Sequence, residues 1–528
     1  MVATLGWQNL IELRAEEPRR AVVSLEMVLS GNYISPSLNG LPYYNKPPVF
    51  NWLMAGAFNL FGSFDEWLVR LPSLLAYLFL GLLCFLGFKK YVARETALIA
   101  SLAFLTGGEL LFYGSVNSGE IDLFYSLLVF LQVFGLFHFY QQKKYGWLFL
   151  WSYLFVALGF LTKGLPSLAF QALTLTGMAI AYRDFKLLLS WQHVFGIVLL
   201  VAVTGSYFWL YAEQADVWAF LFRQFKEASQ RTGAETPIME TIMGTFTFPL
   251  RVGVLLLPWS FLAAFFFFKG FFKSLKSNPL ILFSALFIVV NIPIYWISGD
   301  FKARYLFMFL PFLCLLLSHY FHTKHQDLPK TKKWVFSIFK GLTILLPVLC
   351  LASFFWNPMD QVPYAILRIT ACTMALGAAA WWYLKNSSSL LNLVLVLIIG
   401  RLAFNVLYLP ARASNTNTAY YTHVIPQLQK ITKNKPIYIL GKKYTSITDA
   451  SFGPLHFGDL DITIAPLMAY QVPFYISRQN ETILQLVEKP VKGAYHLIMA
   501  KRVAKYSDEP LFVLWDDWQK RNYVLVKL

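Results

Sequence analysis

Between residues 67 and 410 the chain alternates long apolar runs with short polar breaks. Each run reaches the roughly 20 residues that a helix needs to cross a bilayer core. Twelve runs qualify, at about 67–88, 96–114, 123–140, 146–162, 165–182, 192–212, 250–268, 280–298, 305–322, 334–356, 365–384 and 390–410. Two of them are split only at Lys163-Gly164-Leu165-Pro166, which predicts a tight turn near one surface. Residues 17–30 and 46–62 are less apolar. The first places Ala21, Val22, Leu25, Val28 and Leu29 on one helical stripe, with Arg19, Arg20 and Glu26 mostly elsewhere. That pattern predicts a helix lying on the membrane surface. Lys46-Pro47-Pro48 opens the second such segment, with proline at a helix start. After residue 410 the pattern shortens. Runs at 436–440, 495–500 and 523–526 predict buried strands, and 480–489 predicts a helix. The expected architecture is an all-α polytopic membrane protein with a small C-terminal α/β domain. It divides into a first outer loop with juxtamembrane helices (1–66), a transmembrane bundle (67–410) and a soluble domain (411–528, with its α/β core over 425–528).

Composition agrees with the pattern. The chain is 57% hydrophobic and 14% charged over 528 residues, with a mean hydropathy of +0.52; soluble domains carry about a quarter charged residues. A net charge of +17 would suit nucleic acid, but the basic residues concentrate in short loops between apolar runs, where topology signals belong. The loops 89–95, 141–145, 183–190, 269–279, 323–333 and 385–389 hold fifteen Lys/Arg and three acids. The alternate loops 115–122, 163–164, 213–249, 299–304 and 357–364 hold six basic and nine acidic residues. The positive-inside rule therefore puts the first set in the cytoplasm. The first loop, the acidic loop 115–122, the long loop 213–249, residues 300–304 and the tail then all face outward, as a single extracytoplasmic active site requires. An even number of spans also places the N-terminus outside: either the chain starts there, or its true beginning contains another helix, which is the preferred reading. Met1 to Asn9 lack the basic start and apolar stretch of a cleavable signal peptide. Cys84, Cys314, Cys350 and Cys372 fall inside apolar runs without CxxC spacing and read as small core hydrophobes.

The polar chemistry is concentrated in a few places. Arg14-Ala15-Glu16-Glu17-Pro18-Arg19-Arg20 sets two adjacent carboxylates among arginines at the membrane surface. Desolvation there would lift a carboxylate toward the range of a useful base. The same residues also suit a helix N-terminus, where acids match the dipole and proline is tolerated. Residue type alone leaves both readings open. The stretch continues with Gly31-Asn32-Tyr33-Ile34-Ser35-Pro36, Asn39-Gly40 and Tyr43-Tyr44-Asn45-Lys46-Pro47-Pro48. A second acidic pair, Gly119-Glu120-Ile121-Asp122, stands at the outer end of a span, where carboxylates are expensive unless solvated or used. Asp459-Leu460-Asp461 matches a nucleotide-sugar metal signature by chance, on the wrong side for cytoplasmic nucleotide sugars. Asn480-Glu481-Thr482 is a sequon of little meaning without a host. No Walker A loop, strand-borne GxGxxG, HExxH or GxSxG is present.

The first stretch resembles the first outer loop of the dolichyl-phosphate-mannose–protein mannosyltransferase family, especially its bacterial branch of lipid A aminoarabinose transferases. The family pattern is an acidic pair followed by Arg, a helix, a small residue and Gly before an aromatic and Pro, then Asn-Gly, then Lys-Pro and Trp. Here it reads Glu16-Glu17-Pro18-Arg19, Ser30-Gly31-Asn32-Tyr33-Ile34-Ser35-Pro36, Asn39-Gly40, Lys46-Pro47-Pro48 and Trp52, with the family's thirty-residue spacing from first acid to lysine. Weaker similarity continues to about residue 320. The first acid is usually Asp in the family and is Glu16 here, so Glu16 and Glu17 can exchange roles. The family's extra first helix would bring the spans to thirteen.

The resemblance implies a GT-C architecture and a glycosyltransferase whose donor sugar rides on a polyprenyl phosphate. It implies catalytic roles for Glu16 or Glu17 and for Asp122, with Glu120 close behind. Lys46 resembles the lysine that grips the carrier phosphate, Arg223 an arginine with the same task, and Arg304-Tyr305 a block lining the cavity. Arg19 and Tyr44 join them as substrate-binding residues from the same motif. Lys163 contributes as a further cation or merely snorkels to the interface. A departing phosphate gains charge, which fixed cations in a low-dielectric pocket stabilise. One displacement on the anomeric carbon inverts it. No metal site is demanded, and a divalent cation is compatible with this chemistry. The expected partners are the polyprenyl-phosphate donor, membrane lipids, and a glycolipid or protein acceptor, with no nucleic acid. The expected location is the plasma (inner) membrane, with the site and the tail outside. A secondary transporter would instead show inverted repeats and polar breaks at mid-membrane, and a non-catalytic envelope assembly protein would use the tail to bind partners.

Overall fold

The computed structural model describes all residues except 1–3, 5, 113–116, 231–237, 297–301, 387–388, 415–416, 434, 442–454, 458–459, 463–468, 508 and 517–519. The chain divides into two compact units. One comprises residues 1–8, 73–205 and 225–412; the other comprises 9–72, 206–224 and 413–528.

The first unit is helical. Among the described residues, nine helices of the chain are long and apolar enough to cross a membrane, and a bent pair forms either a broken tenth span or a re-entrant loop. The chain is thus a multi-pass membrane protein, and the differences from twelve unbroken runs have local causes. The run 96–114 is interrupted at Thr106-Gly107 and yields the helices Arg94–Leu105 and Gly108–Phe112. The run 250–268 bends by 120° between Ile242–Leu255 and Trp259–Phe266, at a proline that cannot donate to the preceding turn. The run 165–182 forms Pro166–Tyr182, only 17 residues long. The turn before it is tight: Gly164 has φ +88° and Pro166 opens the next helix. Lipid offers helices no hydrophobic gain on association, so packing quality decides. Aromatic rings supply much of it. Phe130 stacks on Phe134 at 5.4 Å, and Phe287 meets Phe312 at 4.9 Å. Gly135 lets Trp151 lie where a side chain would be, since an added Cβ would stand 2.2 Å from the indole.

The second unit starts with the helix Glu17–Ser30, which carries the acidic motif and ends at Gly31 in the left-handed region. A hairpin follows, β1 (Ser37–Leu38) against β2 (Leu41–Pro42). Its turn residues Asn39 and Gly40 have φ +55° and +71°, the backbone that an Asn-Gly turn is suited to adopt. The helix Val49–Phe61 comes next, begun after Pro48 and stopped at Gly62. Glu17 to Met27 are all buried, Arg19, Arg20 and Glu26 included. The helix expected over 17–30 forms, and Val49–Phe61 and the tail helix Gln471–Asn480 pack against it.

In the tail, β3 (Ile437–Leu440) lies parallel to both β6 (Gln485–Val487) and β7 (Tyr495–Met499). Antiparallel β8 (Phe512–Asp516) and β9 (Arg521–Lys527) complete a sheet of order β6-β3-β7-β9-β8. A separate ribbon pairs β4 (Leu455–Phe457) with β5 (Leu460–Ile462). The three expected strands form, and the α/β reading of the tail holds. The helix expected over 480–489 does not form. The helix ends at Asn480, Glu481 turns left-handed, and 485–487 becomes a strand because β3 offers it a ladder.

Candidate functional site

The acidic pair divides on inspection of its partners. Glu17 is fully buried and accepts from Arg70 Nε at 2.9 Å and Nη2 at 3.2 Å. It also accepts from the backbone N–H of Arg14 at 3.0 Å, which closes the turn before the helix. Glu16 keeps 28% of its side-chain exposure and pairs with Arg19. The chain reaches Glu16 through a positive-φ residue, Ala15. The tail helix steadies that approach: Gln471 Nε2 donates to Leu13 O at 3.0 Å, and Leu13 N donates to Tyr475 Oη at 3.3 Å.

Arg19 leads to the lysine loop. With its amide turned to the orientation that satisfies both ends, Asn45 Oδ1 accepts from Arg19 Nη1 at 2.9 Å and Nη2 at 3.1 Å. Gln224 Nε2 donates to the carbonyls of both Tyr44 and Asn45, at 3.1 and 3.0 Å. Gln224 follows Arg223 on the helix Val217–Gln230, and Lys46 follows Asn45, so this double clamp couples the segments bearing the two cations. Lys46 and Arg223 are both buried. Tyr44 is buried as well; burial, with Asp216 nearby, pushes its phenol up from the ordinary value. Trp52 closes the motif by donating its indole N–H to Tyr33 O at 2.7 Å.

Beneath the hairpin, Glu26 accepts from Ser37 Oγ at 2.5 Å, Asn39 N at 2.6 Å and Gly40 N at 3.2 Å. Burial pushes its carboxyl up to about 7, although all three donors pull the other way. Asn39 also joins the tail: its amide donates to Leu484 O at 3.1 Å, and its carbonyl accepts from Leu486 N at 3.0 Å.

The remaining sequence-predicted residues form a cluster within the first unit. Lys163 Nζ lies 2.5 Å from Asp122 Oδ1, and both side chains are buried. The ammonium also lies over the rings of Tyr125 and Tyr305, at 4.9 and 5.0 Å. Arg304 Nη1 contacts Glu120 Oε1 at 2.6 Å, and its Nε lies 3.7 Å from Asp122 Oδ2. Lys163 is therefore a paired buried cation and not a snorkelling one. The structure brings Asp122, Glu120, Lys163, Arg304 and Tyr305 together here. It brings Glu16, Arg19 and the Tyr44–Lys46 loop together in the other unit, with the helix that carries Arg223.

Sequence reasoning missed Arg70, Asn45, Gln224 and Glu26. A charge within the run that opens Trp67-Leu68-Val69-Arg70 was a signal for the first, and Asn45 lay inside the motif. Nothing local marked Gln224. Among the described residues, no three His, Cys, Asp or Glu side chains gather as a metal site, and Asp459 lies outside the described residues.

Comparison with known proteins follows the same lines. Residues 45–209 match the family model for dolichyl-phosphate-mannose-protein mannosyltransferase. The chain is 31% identical over 226 residues to the undecaprenyl phosphate-alpha-4-amino-4-deoxy-L-arabinose arabinosyl transferase of Erwinia tasmaniensis, covering 40% of this chain and 39% of that one. It is 26% identical over 310 residues to the protein of the same name from Pseudomonas paraeruginosa, covering 58% and 54%. It thus spans about half the length of these curated relatives, or less. The crystal structure of ArnT from Cupriavidus metallidurans bound to undecaprenyl phosphate superposes with a TM-score of 0.71 at 19% identity, over 99% of this chain and 96% of that one. The apo form gives 0.69 at 18% identity. At such identity the likeness establishes the fold, and it does so over almost the whole chain. Fold and partial sequence match converge: the chain is a polytopic membrane protein with the fold of the ArnT structures, and its residues 45–209 are similar to the dolichyl-phosphate-mannose-protein mannosyltransferase family.

Proposed function

We propose that the chain is a membrane glycosyltransferase that moves a sugar from a polyprenyl-phosphate donor to an acceptor outside the cytoplasm. The observation that carries the reading is the fold-back of Glu16, Arg19 and the Tyr44–Lys46 loop, tied through Asn45 and Gln224 to the helix of Arg223. It couples one part-exposed carboxylate to segments that carry two buried cations. The names of the similar proteins, which specify an undecaprenyl-phosphate amino-sugar donor, support the same class of substrate.

In this mechanism Glu16 takes the proton from the acceptor nucleophile, or orients it. The nucleophile attacks the anomeric carbon, the bond to the phosphate oxygen breaks, and polyprenyl phosphate leaves with its negative charge. Lys46 and Arg223 stabilise that charge, with Arg19 and Tyr44 shaping the pocket. Fixed cations suit a departing anion because they need no reorganisation as charge develops. The configuration inverts, as in any single displacement. Asp122 and Glu120 serve as the second acidic group, with Lys163, Arg304 and Tyr305 as their partners. The proposed setting is the inner membrane, with the chemistry and the tail on the extracytoplasmic side and a glycolipid such as lipid A, or a protein hydroxyl, as acceptor. The test is sugar transfer from a radiolabelled undecaprenyl-phosphate sugar to envelope lipid by the purified chain. Transfer by the parent protein, lost in Glu16→Gln, is the expected result; no transfer to any envelope lipid or protein would refute the reading.

A further inference from the structure

The motif helix carries an arginine that the mechanism above leaves unused. Arg20 is 2% exposed. Among the described residues, its guanidinium makes a single hydrogen bond, from Nη1 to Tyr43 Oη at a long 3.4 Å, and its Nε finds no partner. Among the described residues no carboxylate reaches it. Both acids of the motif are already engaged, Glu16 with Arg19 and Glu17 with Arg70.

This arrangement is costly as it stands. Buried charges are ordinarily paired and fully hydrogen-bonded. The position makes matters worse, because Arg20 lies in the first turns of Glu17–Ser30, and that end of a helix repels cations. The backbone around it is firmly held: Asn51 Nδ2 donates to the Arg20 carbonyl at 3.2 Å and to Ser24 Oγ at 3.1 Å. Its one side-chain partner, Tyr43, immediately precedes Tyr44-Asn45-Lys46, the loop clamped by Arg19 and Gln224. A guanidinium can donate five hydrogen bonds and binds oxyanions in pairs.

We propose that Arg20, with the Tyr43 hydroxyl beside it, is a further ligand for a substrate oxyanion, alongside Lys46 and Arg223. The proposal rests on the functional reading above and adds to it a further binding residue. Two substrate groups share the required chemistry: the carrier phosphate, and an acidic group on the transferred sugar or the acceptor. The anion supplies the counter-charge that the fold withholds.

The test is binding of undecaprenyl phosphate to the full chain in detergent, comparing the parent with Arg20→Met, which keeps the length and removes the charge. Losing charge-assisted hydrogen bonds should weaken binding about ten- to hundredfold. Thermal melting without ligand should be unchanged or higher in Arg20→Met, because an uncompensated charge has been removed. A structural arginine would behave the opposite way, with a lower melting temperature and unaltered binding, and that outcome overturns the proposal. If the bare carrier binds both proteins equally but Arg20→Met loses affinity for the sugar-loaded donor or the acceptor, the oxyanion lies there. Equal binding of carrier, donor and acceptor overturns the proposal. Should Arg20→Met fail to fold, Arg20→Lys retains the charge but not the fork, and weaker ligand binding at an unchanged melting temperature is then expected; equal binding overturns it. A parent chain that ignores undecaprenyl phosphate and its sugar-loaded form refutes the functional reading and takes this proposal with it. A parent that binds, with Arg20 variants binding alike, refutes only the role of Arg20.

Discussion

Glu16 and Glu17 are neighbours of the same chemistry, and the structure predicts that the same conservative change will break each in a different way. Glu17→Gln removes the charge that neutralises Arg70, which is held at 2.9 and 3.2 Å in a site where neither partner is more than 2% exposed. Removing one member of a buried pair leaves the other uncompensated, at a cost of about 3–5 kcal/mol. The amide also places a donor where Arg14 N now donates. Glu16→Gln loses an ion pair in which the carboxylate is 28% exposed, worth about 1 kcal/mol or less. The same substitution deletes the proposed base, and general bases contribute about 10²- to 10⁴-fold. Unfolding in detergent, followed by tryptophan fluorescence, and sugar transfer at saturating donor would be measured side by side. Glu17→Gln should lose stability, and Glu17→Gln with Arg70→Met should regain most of it. Glu16→Gln should melt near the parent and turn over at least a hundredfold more slowly. The reasoning fails if Glu16→Gln keeps its turnover, or if Glu17→Gln is as stable as the parent.

Three further outcomes are expected. Asp122→Asn leaves Lys163 buried against two rings without its carboxylate, which should cost about 3–5 kcal/mol; adding Lys163→Met should restore most of the loss in thermal melts. Glu26 binds its proton more tightly in the folded chain, with a value of about 7 against 4.5. Its contribution is therefore complete below about pH 4.5 and lost as pH rises through about 7, so melting temperature should fall from pH 5 to pH 8, and fall less in Glu26→Gln. Gly40→Ala forces a side chain into φ +71° and sets a Cβ 3.1 Å from Gln485 Cγ, so it should lower stability by about 1–2 kcal/mol, read from the unfolding midpoint.

Most spans were legible because bilayer thickness imposes a minimum run length. Where runs and helices differ, at Thr106-Gly107 and at Pro258, breakers were present but hydropathy averages over them. The motif residues were legible as a group, whereas their division of labour was not. What separates Glu17 from Glu16 is Arg70, 53 residues away, and what ties Lys46's loop to Arg223's helix is Gln224, nearly 180 residues further on. In the tail, Gln485-Leu486-Val487 carries no local preference strong enough to announce a strand. Its state is decided by parallel pairing with Tyr438, Ile439 and Leu440. The burial of the motif helix was hidden for the same reason: one helix that packs on it, Gln471–Asn480, comes more than four hundred residues later.

The bonds from Asn39 to Leu484 and Leu486 impose an order on biogenesis. The hairpin leaves the ribosome early, but its partners are made only after the last spanning helix. Throughout insertion the hairpin lacks these two bonds to the tail, and it gains them as a late, long-range closure. A chain assembled this way completes its first outer loop only after its helices have been threaded into the bilayer.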